Sequence, residues 1–151
     1  MDRLNVRPFE PGDTPELIAM WRQSFEHGVG IADPHPIEEQ MDYFHKEVLP
    51  KNSVRVVLDG KHLVAFLASN AESVAQLYVR VGYIGQGIGS RLLALAKDES
   101  AGSLWLYTFA RNTNARWFYE RHGFAAVQHG FEPTWQLGDV RYQWHRQANA
   151  V

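Results

Sequence analysis

Glycines stand at positions 82, 85, 87 and 89, and a run with helical spacing, Ser90 to Ala96, follows them directly. In front of the cluster, Val74, Gln76, Leu77 and Val79 alternate as a half-buried strand. Strand, glycine loop and helix in that order make a seat for an oxyanion. Residues without a Cβ accept positive φ and let backbone N–H groups approach a ligand closely, while the first turn of the helix adds unpaired donors and a partial positive charge. An ordinary strand-to-helix turn would use the same glycines, so these residues alone leave both readings open. Spacing excludes two familiar phosphate loops. A P-loop needs Gly-Lys-Ser/Thr, and no lysine lies between Lys61 and Lys97. A dinucleotide fingerprint needs a glycine three positions after its second, and that place is Ser90 or Leu92, depending on where the count starts.

Gln86-Gly87-Ile88-Gly89-Ser90, set before Arg91-Leu92-Leu93, resembles the acetyl-CoA loop of the GNAT superfamily of N-acetyltransferases. A second stretch, NTNARWFYERHGF, is similar to that family's later helix and the strand after it, through Asn112, Ala115, Phe118, Tyr119, Gly123 and Phe124. It follows the glycine loop after one further strand, Leu104 to Phe109, which is the family's order. The resemblance covers nearly the whole chain and implies acetyl-CoA as cosubstrate. It also implies that the backbone from Ile84 through Gly85, Gln86, Gly87, Ile88 and Gly89 to Ser90 wraps the CoA diphosphate. Leu77, Tyr78 and Val79 would offer backbone bonds to the pantetheine arm and the acyl carbonyl, in a gap where the flanking strands splay apart. Asn112 would bond the arm, and Tyr119 would protonate the departing thiolate. Each also has a plain structural reading: Asn112 as an ordinary helix cap, Tyr119 as packing on the inner face of its helix. Arg91, Arg111, Arg116 and Arg121 flank the two motifs, with Arg116 expected among the cofactor contacts. One position departs from the family pattern. Where the family has Arg or Gln, three residues before the first motif glycine, this chain has Ile84. Backbone donors do not depend on residue type, so the substitution removes at most one side-chain bond.

These groups need elements to hold them. Leu4, Val6 and Pro8 open a first strand; Thr14 and Pro15 read as a hydroxyl cap and a first-turn proline for a helix carrying Leu17, Ile18, Trp21 and Phe25. Gly28 to Pro36 reads as a loop, and Ile37, Met41, Phe44 and Val48 as a second helix closed by Pro50. Ser53 to Leu58 and His62 to Ala68 form a hairpin around Asp59-Gly60. After the central unit come Leu104 to Phe109, a helix from Asn112 to His122 ended by Gly123, a strand from Phe124, and a last strand alternating Val140, Tyr142 and Trp144. The order β α α β β β α β α β β, without repeat or linker, predicts an α/β fold: a GNAT-like mixed central sheet with helices on both faces, in one domain spanning 1–151.

Composition narrows the chemistry. The chain of 151 residues has no cysteine, which removes disulfides, thiolate metal sites and a cysteine nucleophile, so transfer would be direct, in a ternary complex. The histidines show no ligand spacing, and no metal is expected. Net charge is −2, which gives no basic footprint for nucleic acid. No apolar run is long enough to span a membrane, and a cytoplasmic protein is expected. The segment Glu26 to Pro50 holds a net −5, leaving +3 for the rest, a split that suits a polyanionic cosubstrate and a cationic acceptor. The acceptor expected is a small-molecule or peptide primary amine. His35, in the Gly/Pro loop, is the histidine placed to act as a base, since that loop borders the acceptor pocket in the family; Glu72 is expected in solvent. The alternating last strand leaves room for a homodimer across a sheet edge. A domain that binds CoA without turning it over is the alternative that Ile84 and the lack of an obvious base suggest.

Overall fold

The computed structural model describes residues 3–147. Its strands are β1 (Leu4–Pro8), β2 (Ser53–Asp59), β3 (His62–Ser69), β4 (Val74–Val79), β5 (Ser103–Phe109), β6 (Ala125–Glu132) and β7 (Leu137–His145). Its main helices are α1 (Thr14–Val29), α2 (Ile37–Tyr43), α3 (Ile88–Glu99) and α4 (Thr113–Arg121). The element order is the one the sequence indicates.

The strands β1 to β4 pair antiparallel in chain order, and β5, β7 and β6 form a second antiparallel ladder. A parallel bridge between Ser73 and Trp105 joins the two, with the Trp105 amide donating to the Glu72 carbonyl at 3.1 Å. Beyond that bridge β4 and β5 have no ladder between them, so a gap opens along their length.

The centre of the first sheet explains why helices cover it twice. From Leu63 to Ser69 every residue of β3 is buried, and Leu63 to Ala68 is an unbroken apolar run that a strand with one wet face would not have. Val64 and Leu67 belong to the core under α3 with Leu92 and Leu93; Leu63 and Phe66 belong to the core under α1 with Leu17 and Trp21. Removing a fully buried leucine side chain from such a core costs about 2–5 kcal/mol. The β2–β3 turn uses Gly60 at φ +62°, in the left-handed region that glycine occupies without strain.

Three local expectations change. Thr14 is the first helical residue rather than the cap, and its Oγ1 lies 3.3 Å from His45 Nε2. The second helix is regular only to Tyr43; a π turn (Phe44–Val48) and a 3₁₀ turn (Leu49–Lys51) containing Pro50 complete it, the proline having no N–H to continue an α-helix. The alternating strand β7 is the middle strand of its ladder, paired on both sides with β5 and β6. It therefore has no open edge of its own, and the ladder's outer strands are β5, facing the gap to β4, and β6.

Candidate active site

The glycine loop begins where β4 ends. Gly85 and Gly87 sit at φ +86° and +83°, and Gly87 is the N-cap of α3, with no side chain capping the helix. Tyr83 donates its amide to Arg80, and Arg91 is the first residue to donate back along the helix, to Gly87. Among the described residues, the amides between them, from Ile84 to Ser90, have no acceptor in the chain. Unpaired donors at a helix start attract an anion. A Cβ at Gly85 or Gly87 would meet nothing within 4 Å, so the space over the loop is open. Gly89 serves a different need: its Cβ would come 3.2 Å from the Phe118 ring, so a glycine lets α3 pack against α4. Ile84 is 58% exposed. The Ser90 hydroxyl is paired with His122 Nε2 at 2.9 Å, leaving its amide as the free donor.

The gap between β4 and β5 widens into a cavity of about 660 Å³. Pairing alternates along an antiparallel ladder, and since Arg80 donates to Val64 the next bonded pair is Tyr78 with Phe66. The backbone groups of Leu77 and Val79 therefore face the gap. Those of Tyr78 are used inside the sheet, which corrects the expectation that all three are available. The Val79 carbonyl is also engaged, accepting from the Ser24 hydroxyl at 2.9 Å, a contact no sequence signal announced. Tyr78 reaches the cavity through its side chain instead.

Tyr119, one residue beyond the phenylalanine that packs on Gly89, lines the same cavity. It is 8% exposed and its ring sits among Phe118, Phe124 and Tyr142, yet no hydrogen bond within the described residues uses its hydroxyl. Desolvation raises its phenol above the ordinary tyrosine value, and burial pushes the Tyr78 phenol up to about 12. Both keep their protons at neutral pH. Native tyrosines that hold protons longer than unfolded ones make stability fall as pH rises from about 10 toward 12, because the unfolded chain then binds fewer protons. An absorbance titration of phenolate is expected to show this late component, reduced in Tyr78→Phe.

Asn112 does cap α4, its Oδ1 accepting from the Ala115 amide at 3.1 Å, and it also lines the cavity. Its Nδ2 rests against the bare Cα of Gly28, where a Cβ would stand only 2.7 Å away. Gly28→Ala is therefore expected to displace the cap and lower stability by about 0.5–2 kcal/mol, read from urea unfolding. Arg116 Nε donates to the Tyr142 hydroxyl at 3.0 Å, and that hydroxyl donates to Glu120 at 2.6 Å, so the guanidinium fastens α4 to β7.

The far half of the cavity is built from segments distant in sequence. Asp33 and His35 come from the loop after α1, Glu39 and Tyr43 from α2, Glu132 and Trp135 from the β6–β7 connection, and Asp139 from β7. Four carboxylates line it, with no lysine or arginine among the lining residues. Trp21 and Phe25, on the apolar stripe of α1, are both core and cavity wall. Glu72 is exposed and outside the cavity. Among the described residues no group of three or more His, Asp or Glu side chains could hold a metal ion, and no helix is long and apolar enough to cross a membrane.

A splayed pair of strands, an uncapped glycine loop and a lined cavity together define an acyl-transfer fold, and comparison supplies the family. The GNAT acetyltransferase domain model matches residues 50–126, and the chain belongs to that family. In structure it is similar to PH1933 of Pyrococcus horikoshii OT3, with a TM-score of 0.79 at 18% identity over 96% of this chain and 99% of that one. It is also similar to the PaiA N-acetyltransferase of Thermoplasma acidophilum, solved in complex with coenzyme A, with a TM-score of 0.75 at 19% identity over 96% and 99% of the two chains. In sequence it is 24% identical over 137 residues to YwnH of Bacillus subtilis strain 168, named as a candidate phosphinothricin acetyltransferase, covering 81% of this chain and 84% of that one.

Proposed function

We propose that this chain is an N-acetyltransferase that moves an acetyl group from acetyl-CoA to a primary amine by direct transfer in a ternary complex. One observation carries the reading: the unpaired amides from Ile84 to Ser90 stand at the end of the same strand whose outward backbone groups and neighbouring phenol, Tyr119, wall a cavity lined by carboxylates. The similar PaiA N-acetyltransferase, solved in complex with coenzyme A, supports acetyl-CoA as the cosubstrate.

Each part of the chain then has a task. The loop amides hold the diphosphate, and the outward amides of Leu77 and Val79 bond the pantetheine arm and polarise the thioester carbonyl, where negative charge gathers as the amine attacks. The Asn112 side chain, with Nδ2 unused by the helix cap, is a second donor for the arm. The Tyr119 phenol gives its proton to the sulfur as the C–S bond breaks. A desolvated site also raises the thiol, so proton transfer from a raised phenol is not made harder by burial alone. With no cysteine to carry the acyl group, amine and thioester must be present together. The cavity's carboxylates favour a cationic acceptor.

Calorimetry with acetyl-CoA followed by a thiol-release screen over amines tests the proposal. Saturable binding and acceptor-dependent release of CoA are expected. Binding with no release across a broad amine panel would leave a CoA-binding domain without turnover.

A further inference from the structure

Building on the transferase reading, we propose that Asp33 and His35 form a general-base pair that takes the proton from an acceptor arriving as an alkylammonium ion, making strongly basic alkylamines the class of substrate this site is built for. The two stand two residues apart in the loop between α1 and α2, on the wall of the cavity.

The pair is held from several sides. The Asp33 carboxylate is 6% exposed, and its Oδ1 meets both the His35 amide, at 2.9 Å, and the ring Nδ1, at 3.0 Å. The Asp33 amide donates to Glu26 Oε2 at 2.7 Å, and its carbonyl accepts from Arg22 Nη2 at 2.8 Å. Trp135 meets the imidazole at 4.6 Å between centroids, inclined at 70°. An imidazole whose Nδ1 carries the proton toward a carboxylate keeps its lone pair on Nε2, and the carboxylate stabilises the imidazolium that forms. Among the described residues nothing bonds Nε2, and the side chain is 32% exposed, so a small amine can reach it.

The other acids of the cavity lack this arrangement. Both oxygens of Glu132 accept backbone amides, from Thr134 and Trp135. Glu39 and Asp139 have no partner within the described residues to orient them. The charges around His35 are Arg22 and Glu26 from α1, Asp33 from its own loop, Glu39 from α2, Glu132 from the β6–β7 connection and Asp139 from β7. Arg22 is the only cation among them, and it is directed at Asp33, with Nη1 at 3.8 Å from Oδ2. The field therefore favours an approaching ammonium.

The protons balance. The ammonium N–H gives its proton to His35 Nε2, and the freed nitrogen pair forms the N–C bond at the thioester carbonyl. Collapse breaks the C–S bond with its electron pair on sulfur, and sulfur takes the Tyr119 proton. The nitrogen loses its second proton, which restores Tyr119 through solvent, and His35 returns its own to water. The net products are amide, thiol and one proton.

The test uses the intact protein with amines of similar size but graded basicity. His35→Gln is expected to lower kcat/KM about 100-fold or more for alkylamines and to abolish an ionisation from the pH profile. For acceptors already neutral at the assay pH, such as aryl amines or hydrazides, the rate should change little. Acetyl-CoA binding and melting temperature should match the unsubstituted protein. Asp33→Asn should give a smaller loss of the same selectivity, and ¹⁵N spectra of the imidazole should show the Nδ1–H tautomer in the unsubstituted protein and its loss in Asp33→Asn. Equal losses for basic and weakly basic amines, or an Nε2–H ring, would overturn the base assignment while leaving the transferase reading intact. No CoA release with any amine from the unsubstituted protein would overturn both.

Discussion

Tyr119→Phe is expected to lower kcat by about 10²- to 10³-fold, within the span of general acid catalysis by one side chain, and to leave acetyl-CoA affinity almost unchanged. The expectation follows from the hydroxyl's situation. It lines the cavity, it has no hydrogen bond within the described residues, and its ring is fixed by three aromatic neighbours. Deleting one oxygen therefore breaks no structural bond, and melting temperature should hold. Steady-state kinetics with an amine acceptor, set beside calorimetric binding of acetyl-CoA, separates the two effects. An acetyl-donor thioester whose thiol is a much better leaving group should recover most of the lost rate, since it needs no proton at that step. A variant as active as the unsubstituted protein on acetyl-CoA would remove Tyr119 from the chemistry.

Gly87→Val acts on binding. At φ +83° a β-branched residue is strained by roughly 1–3 kcal/mol, and no neighbour lies within 4 Å to compensate or to clash. The chain relieves that strain by turning the 86–88 peptides, which moves the loop donors out of convergence. Acetyl-CoA affinity is expected to fall by at least about 10-fold, since one such free-energy increment of roughly 1.4 kcal/mol is a decade in Kd. Gly89→Ala serves as the contrast. Its Cβ presses on the Phe118 ring rather than on the backbone path, so it should perturb packing between α3 and α4 more than it perturbs the anion seat. Equal affinities for all three proteins would show that the loop does not hold the diphosphate.

The order of elements was legible because each carries its own period, and β3 was legible even as an all-apolar run because it is short and ends at a turn. The glycine loop and the Tyr119 helix could be placed because their signals are local. What pairs with β7 is a long-range choice, and the alternation of Val140, Tyr142 and Trp144 is the same in an edge strand as in a middle one. Arg116 illustrates a second limit: a guanidinium near a motif finds whichever acceptor the fold brings closest, here the Tyr142 hydroxyl from 26 residues away. The base pair had a local sign that spacing could have offered, an aspartate two residues before a histidine in a proline-bounded loop, where such a side chain commonly bonds the backbone two positions on. The rest of the cavity had none, since Glu39, Glu132, Trp135 and Asp139 come to line one cavity only once both ladders are in place.

Because the two ladders touch through Ser73 and Trp105 and then diverge, the acceptor chamber is roofed by connections that belong to neither. Residues 30–36 and the short link after Glu132 supply no rung of either sheet, so changes there that keep Asp33 and His35 leave both ladders intact. Acceptor preference is expected to respond to such changes, while acetyl-CoA affinity is not.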